Sequence, residues 1–250
     1  MTDHILIETP ETAPHVRIIR LNRPDKKNAI TRAMYAAMTL ALHDADAAET
    51  VHVVAFLGSP GCFSAGNDMT DFLAFAMGGA MGSEVLDFLD ALANFEKPLI
   101  SGVDGIAIGI GTTIHMHCDL TIASERSVFR TPFVDLALVP EAASSLIAPR
   151  LMGHQRAFAL LAAGEPLTAE EARRDGLIWK VTAAETVEVE TLAMAAKLAA
   201  KPPEALRIAR NLLRGPRHEV LARIAEEAGH FEAQLRSAEA RAAFEGFVKR

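Results

Sequence analysis

Short β-branched runs alternate with helical patterns through the first 140 residues, and this alternation restricts the folds open to the chain. The run VHVVAFLG, for example, has the composition of a buried strand and leads directly into a tight turn. Strands that alternate with helices are typical of βαβ units with parallel strands, so the pattern predicts an α/β fold. The expected strands lie within residues 16–21, 51–58, 98–108 and 119–124, and Thr31 is the expected N-cap of a helix that ends near residue 48.

The sequence changes character after about residue 143, where strand signals nearly vanish and Ala-rich amphipathic segments follow one another. Turn-forming stretches such as GEPLT and KPPEAL separate these segments, which predicts a layer of helices. The last helices, near residues 203–214 and 219–235, carry a wider apolar stripe than a peripheral helix needs. That stripe packs either within the chain or on another subunit. We divide the chain into a core, residues 1–195, and a C-terminal helical region, residues 196–250.

The composition limits the class of partner. Half of the 250 residues are apolar, which is ample for a core, and the formal net charge is -7 with a pI near 5.7. The Lys and Arg residues are scattered, whereas a nucleic-acid surface needs concentrated positive charge. We therefore expect no nucleic acid as the main partner, while a small ligand that carries phosphate groups remains allowed.

The cysteines and the N-terminal segment indicate a compartment. Cys62 and Cys118 have neither the spacing of a metal site nor that of a disulfide framework, which fits a reducing environment. The N-terminal segment lacks the basic start and apolar centre of a signal peptide, and no window reaches the roughly 18 apolar residues of a membrane span. We expect a cytoplasmic protein without a membrane partner.

Two Gly-rich turns follow neighbouring predicted strands. The first lies in FSAGNDMTDF, residues 63–72, and the second in GVDGIAIGIGTTIHMHCDL, residues 102–120. A strand that leads into a helix N-terminus leaves backbone N–H groups without helical partners, and paired N–H donors stabilise an oxyanion. The alternative is an ordinary α/β connection, which either turn by itself also fits.

Three other chemistries fit the sequence poorly. A dinucleotide-binding turn fails because the glycines at 105, 109 and 111 are followed by no further glycine at the needed offset. A nucleophilic Ser64 fails because Cys62 occupies the first glycine position of the nucleophile elbow. His115 and His117 point about 200° apart on a helix, so they do not share a metal ion, and we expect packed or surface histidines.

Four segments together resemble the signature segments of the crotonase (enoyl-CoA hydratase/isomerase) superfamily, in order and in spacing. They are LNRPDKKNAI, FSAGNDMTDF, GVDGIAIGIGTTIHMHCDLTIAS and FRTPFVDLALVPEAASSLIAPRLMG, and the resemblance extends over the whole chain. It implies an α/β spiral of ββα units, a C-terminal helical trimerisation region and acyl-CoA thioesters as ligands. The thioester oxygen would then lie between the backbone N–H groups of Asn67 and Ile110.

The resemblance also bears on the reaction. Hydratases of the superfamily use two glutamates, and the matching positions here hold Thr113 and Phe133, which transfer no proton usefully. The run TPFVDLALVPEAASS resembles the peroxisomal-type delta-3,delta-2-enoyl-CoA isomerases, in which the matching glutamate, here Glu141, is the single base. Ala142 replaces the usual glycine, which bears on the preferred chain length. From the residues alone, Glu141 is a helix N-terminal acid.

Two alternatives to an isomerase stay open. One is an enoyl-CoA hydratase or another crotonase-type reaction, and the other is a non-catalytic acyl-CoA binding or scaffold protein. In each case the chain needs no separate cofactor, because coenzyme A is carried by the substrate. The resemblance implies a homotrimer or a dimer of trimers.

The resemblance further implies which residues surround the acyl-CoA. A loop near the adenine and pantetheine, the first Gly-rich turn and an apolar wall contribute these residues, while residues 73–89 would set the acyl chain length. Asp119 and Asp135 are expected to serve structure or to lie at the pocket rim. The implied binding residues are Lys26, Lys27, Ala29, Ala65, Asp68, Met69, Gly109 and Phe133.

Overall fold

A computed structural model describes residues 2–71 and 82–248 of the chain. Within these ranges the strands are β1 Ile5–Glu8, β2 Val16–Leu21, β3 Val53–Leu57, β4 Cys62–Ser64, β5 Leu99–Val103, β6 Ile106–Ile108, β7 Leu120–Ser124, β8 Val128–Arg130, β9 Leu167–Thr168 and β10 Lys180–Thr182. The helices are α1 Arg32–Ala47, α2 Glu84–Asn94, α3 Ile110–Thr113, α4 Ser144–Leu161, α5 Ala169–Arg174, α6 Val187–Ala199, α7 Pro203–Arg214, α8 Arg217–Leu235 and α9 Ala238–Val248.

The strands form two sheets. The larger sheet has the order β1-β2-β3-β5-β7-β10, and all its neighbours are parallel except β1 and β2. The smaller sheet has the order β4-β6-β8-β9, in which only β8 and β9 are antiparallel. A strand of the larger sheet is followed three times by a strand of the smaller one. This arrangement confirms the predicted α/β spiral of ββα units.

The run at residues 98–108 forms two strands instead of one. β5 belongs to the larger sheet and β6 to the smaller, and Gly105 lies between them with φ 79°. A Cβ atom at Gly105 would lie 1.9 Å from the carbonyl oxygen of Gly61. A glycine is required there for both reasons, since L side chains rarely adopt this φ. The apolar run therefore changes sheets at its internal glycine.

Helix α1, which the sequence pattern predicted, packs against β1 and β2 of the larger sheet and against α2. The hydroxyl of Thr31 accepts a hydrogen bond from the backbone N–H of Met34 at 3.3 Å, which confirms the predicted N-cap. Met34, Met38 and Leu42 are buried along one side of the helix. Each such side chain contributes about 1.5–3 kcal/mol by leaving water.

The C-terminal third is mainly helical, as predicted, although β9 and β10 were missed because strands of two and three residues show no period. Helix α6 packs against β3, β5 and β7 on the larger sheet. The expected boundary after residue 195 falls inside α6, and the division into two regions stays a prediction. Among the described residues, no helix combines the length and apolar character needed to cross a membrane.

Candidate active site

The two Gly-rich turns lie against each other, because β4 and β6 are parallel neighbours. Gly66 has φ 90°, and a Cβ atom there would lie 2.9 Å from the carbonyl oxygen of Ile108. A Cβ atom at Gly111 would lie 2.9 Å from the carbonyl oxygen of Ser64. The backbones of the two turns are therefore in direct contact, and only glycine allows this approach.

The amides of Asn67 and Ile110 lie on the two Gly-rich turns. Within the described part of the chain, neither N–H group donates to an acceptor. Ile110 is the first residue of α3, so its N–H has no helical partner. Gly66 and Asp68 both bond to Ile30, at 2.8 and 2.9 Å, and alternation along an extended segment turns the intervening Asn67 N–H away from Ile30. The predicted pair of donors thus lies on adjacent turns.

Glu141 is a buried carboxyl group that is held by α3. Its exposed fraction is 7%, and the hydroxyl of Thr113 donates a hydrogen bond of 2.6 Å to its Oε1 atom. Burial raises the pKa of Glu141 to about 8, the negative charge of Glu227 adds to this rise, and the Thr113 hydrogen bond opposes it. Because α3 begins at Ile110 and ends at Thr113, one short helix connects an amide donor to the carboxyl group.

The turn after Glu141 has a special backbone. Ala142 and Ala143 lie in the left-handed region, with φ 61° and 55°. The carbonyl oxygen of Ala142 is 2.8 Å from Nε2 of His117, and the N–H of Ser144 donates to the carbonyl of Glu141 at 3.0 Å. Ala142, which stands where the resembling isomerases have glycine, adopts the conformation that glycine adopts most easily. Its methyl group is buried in the main core, the large apolar cluster that also contains Ile110.

Tyr35 joins α1 to the first turn, a connection that the sequence analysis missed. Its hydroxyl donates to Oδ1 of Asn67 at 2.5 Å, and its ring is buried. Burial raises the pKa of Tyr35 well above its ordinary value, and the negative charges of Glu141 and Asp71 act in the same direction. Tyr35 occupies the apolar face of α1, where an aromatic residue has the pattern of an ordinary core residue.

The structure brings part of the predicted coenzyme A loop onto the first turn. The N–H of Ala65 donates to the carbonyl of Lys27 at 2.8 Å. Arg23, which the sequence analysis missed, binds both the carbonyl of Ala29, at 2.9 Å, and the carboxylate of Asp68, at 2.6 Å. Burial opposes ionisation of Asp68, but hydrogen bonds from Arg23 and Thr70 outweigh it and lower the pKa.

The same loop contains a buried residue, Asn28, that binds β4 and that the sequence patterns did not indicate. Asn28 is fully buried with φ 52°, a conformation that asparagine tolerates better than most residues. Its amide nitrogen donates to the carbonyls of Cys62 and Phe63 at 3.1 and 3.0 Å. Asparagine beside two lysines gives no sign of burial in the sequence. Lys26 and Lys27 themselves are exposed at the edge of the loop.

The remaining predicted binding residues occupy different environments. Gly109 precedes α3 with φ 56°, while Met69 is half-buried and packs against the main core. Phe133 is buried in the same apolar cluster as Ile110. Of the segment expected to set chain length, residues 73–81 lie outside the described residues, and residues 84–89 belong to α2.

The histidines after the second turn are packed core residues. The ring of His115 lies between Phe63 and Phe129, with centroid distances of 4.6 and 5.7 Å, and Nδ1 is 3.0 Å from Oγ of Ser101. Burial lowers the pKa of His115 to about 3 and that of His117 to about 4, so both rings are neutral. This packing agrees with the expectation from the sequence.

Comparisons with known proteins identify the family of the chain. The family model described as Enoyl-CoA hydratase/isomerase matches residues 11–250. The chain is 40% identical to Enoyl-CoA delta isomerase 2 of Rattus norvegicus over 215 residues, which cover 84% of the chain and 54% of the rat protein. It is 33% identical over 189 residues to a Rhizobium meliloti (strain 1021) protein named "Probable enoyl-CoA hydratase", covering 76% of the chain and 74% of that protein.

A solved structure of similar sequence gives the same result. The structure of Pseudomonas aeruginosa OdaA superposes with a TM-score of 0.94 at 39% identity, and the match covers 100% of both chains. The chain spans about half the length of the rat relative. The resemblance of the signature segments is confirmed, and the chain belongs to the enoyl-CoA hydratase/isomerase family of the crotonase superfamily.

Proposed function

We propose that the protein is a delta-3,delta-2-enoyl-CoA isomerase. The observation that carries this proposal is the buried carboxyl group of Glu141, which is hydrogen-bonded to the helix that begins at the Ile110 amide. A shift of a double bond needs one base that removes a proton and returns it to a second carbon. Addition of water needs a further acid or base, and the positions that supply it in hydratases hold Thr113 and Phe133.

The proposed reaction conserves all atoms of the substrate. Glu141 removes a proton from C2 of a 3-enoyl thioester, and the electron pair moves into a dienolate whose negative charge rests mainly on the thioester oxygen. The amides of Asn67 and Ile110 donate hydrogen bonds to that oxygen, and one such donor is worth about 3 kcal/mol. Glu141 then returns the proton to C4, which leaves the double bond between C2 and C3.

The environment of Glu141 suits this task. A carboxyl group with a pKa near 8 is a stronger base than an exposed glutamate, and it is ionised in a useful fraction near neutral pH. Phe133 supports a dry site, since its side chain is buried in the apolar cluster that also contains Ile110. The reaction requires no cofactor or metal ion, because coenzyme A enters and leaves with the substrate. The ammonium groups of Lys26 and Lys27 suit its phosphates.

A direct assay tests the proposal. Purified protein is mixed with a series of 3-enoyl-CoA substrates, and the appearance of the conjugated 2-enoyl thioester is followed by absorbance. We expect Glu141→Gln to lose about 10²–10⁴-fold in turnover, the range for one acid–base group. The matched control is Glu125→Gln, an exposed glutamate that retains the wild-type rate.

Three results would each contradict the proposal. Unchanged turnover in Glu141→Gln shows that Glu141 is not the base. Loss of conjugation when 2-enoyl-CoA is added, together with no reaction on 3-enoyl-CoA, indicates a hydratase instead. Binding of acyl-CoA without any turnover indicates a binding or scaffold protein.

We further propose that α7 takes part in a homotrimer or a dimer of trimers. Leu212 and Leu213 of this helix are 78% and 88% exposed, which is unusual for leucine, and Ile208 is exposed beside them. Association of subunits would bury these side chains. Sedimentation equilibrium of the wild-type protein measures the mass directly, and a stable monomer at micromolar concentration would refute the proposal.

A further inference from the structure

A second buried carboxyl group contacts the turn that follows the proposed base. Glu227, on α8, is 5% exposed, although no sequence pattern marks it as a site residue. Its Oε2 atom accepts from the N–H of Ala143 at 2.6 Å. Its Oε1 atom accepts from both the N–H and the hydroxyl of Ser145, at 3.0 and 2.5 Å. These donors belong to the second and fourth residues after Glu141.

Glu227 provides a cap that α4 lacks locally. The N-cap position of α4 is Ala143, whose side chain has no hydrogen-bonding atom. The first N–H groups of a helix need acceptors, and a carboxylate is favoured at this end by the helix dipole. Here the carboxylate comes from Glu227, which is 84 positions after Ala143 in the sequence. This carboxylate accepts hydrogen bonds from the N–H groups of both Ala143 and Ser145.

The same contacts hold an unfavourable backbone in place. Ala142 and Ala143 both have positive φ, which L residues adopt only when their surroundings enforce it. The ring of His117 is hydrogen-bonded to the carbonyl oxygen of Ala142, and the carboxylate of Glu227 accepts from the N–H of Ala143. Without the second contact, the turn is free to relax toward ordinary φ values, and the Glu141 side chain would move with it.

We propose that Glu227 is a positioning residue for Glu141: it fixes the turn that carries the base and places a second carboxyl group near it. This inference rests on the proposed function, in which Glu141 removes the substrate proton. Glu227 makes its contacts with backbone and Ser145 atoms and acts on the reaction only through Glu141.

The groups around the two carboxyls determine how pH acts on them. Glu141 is faced by Thr113 of α3, by Tyr35 of α1 and by Glu227 of α8, and the neutral ring of His117 contacts the next residue. Glu227 is faced by Arg223 of the same helix, whose guanidinium also donates to Ser145 Oγ. Because the carboxyls repel each other, their titrations are coupled, and removal of one charge eases ionisation of the other.

The decisive variant is Glu227→Gln, which keeps the size of the side chain but removes its charge and one acceptor. We expect the acid limb of the kcat/KM profile to move to lower pH by about 0.5–1 unit. We expect kcat to fall about tenfold while KM stays within about threefold, since substrate binding residues are untouched. A merely structural cap would not shift the midpoint of the acid limb.

The chain offers a matched control on the same helix. Glu232→Gln removes an exposed carboxylate on α8 that pairs with Arg236, away from the turn and from Arg223. Its acid limb should coincide with that of the wild type. Should Glu227→Gln fail to fold by circular dichroism, Glu227→Asp becomes decisive: it keeps the charge but withdraws it, so kcat should fall while the midpoint moves by less than about 0.3 unit.

A readout independent of turnover separates this inference from the proposed function. Carboxyl ¹³C resonances of labelled glutamate report the titration of Glu141, assigned by its loss in Glu141→Gln. The control for this titration is again Glu232→Gln. If the Glu141 titration in folded Glu227→Gln or Glu227→Asp matches that control and kcat is unchanged, the positioning role is overturned even if Glu141 proves to be the base. Absence of 3-enoyl-CoA turnover in the wild type overturns the isomerase, while the titration still decides whether Glu227 acts on Glu141.

Discussion

Glu141 is a carboxyl group in surroundings that oppose its charge. Burial and the nearby Glu227 raise its pKa, and the Thr113 hydrogen bond offsets only part of the rise. The local sequence VPEAAS shows an acid before a helix and contains no sign of this environment. The residue could therefore be selected from the sequence by resemblance, but its basicity depends on neighbours that are distant in the chain.

The raised pKa predicts the pH dependence of turnover. Only the ionised carboxylate removes a proton, so kcat/KM should fall about tenfold per pH unit below a midpoint near pH 8 and level off above it. Steady-state rates on one 3-enoyl-CoA, measured from about three pH units below the midpoint to about one unit above it, provide the measurement. A midpoint near 4.5, the ordinary glutamate value, would show that Glu141 is not held as described.

The same shift predicts a stability that decreases with pH. The folded protein binds the Glu141 proton more tightly than the unfolded chain does. The stabilisation that this proton gives the fold is therefore complete below about pH 4.5 and is lost as the pH rises through about 8. We expect the wild type to lose on the order of 2–4 kcal/mol, relative to Glu141→Gln, between those limits. Urea unfolding of both proteins at several pH values measures this difference, and parallel curves would contradict it.

At the level of elements, the two Gly-rich turns depend on backbone conformation and on the close approach of their two backbones. Helix boundaries and turns were predicted well, because caps, periodicity and glycine act within a few residues. The exchange of strands between sheets at Gly105 was not predicted, because an uninterrupted apolar run has the same appearance in one sheet or two. Sheet membership depends on pairing partners elsewhere in the chain.

Gly66→Ala tests the role of the first turn. The new methyl group would lie 2.9 Å from the carbonyl oxygen of Ile108 and push the Asn67 amide from its place. We expect kcat on 3-enoyl-CoA to fall about 10²–10³-fold, as for loss of one oxyanion donor. The control is Gly61→Ala, which has a similar φ of 78° but no described atom within 4 Å of the new methyl group. Equal effects in the two variants would indicate backbone strain alone.

At the scale of the whole molecule, a cluster of ion pairs connects α7 to the larger sheet. Asp119, next to β7, accepts from Arg210 at 2.7 Å and from Arg214 at 2.9 Å, both on α7. It also accepts from the N–H of Leu99 at 2.8 Å. Asp119 thus serves structure, whereas Asp135 forms an exposed pair with Arg130.

Asp119→Ala should destabilise the fold strongly. The guanidinium of Arg210 is almost completely buried and would lose its charged partner, a change that costs about 3–5 kcal/mol. Glu204→Ala breaks an exposed pair with Arg207 on the same helix and should cost about 0.5 kcal/mol or less. Thermal unfolding of both variants gives the comparison, and similar losses would contradict the assigned role.

The sequence by itself determined the features that depend on near neighbours. Strand and helix alternation, the Thr31 cap, the two glycine turns and the family all follow from local conformation, periodicity and motif spacing. The tertiary structure alone decided which side chains meet: Tyr35 with Asn67, Thr113 with Glu141, and Glu227 with Ala143. Burial and charge act through space and not along the chain, so the basicity of Glu141 exists only once distant helices have packed around it.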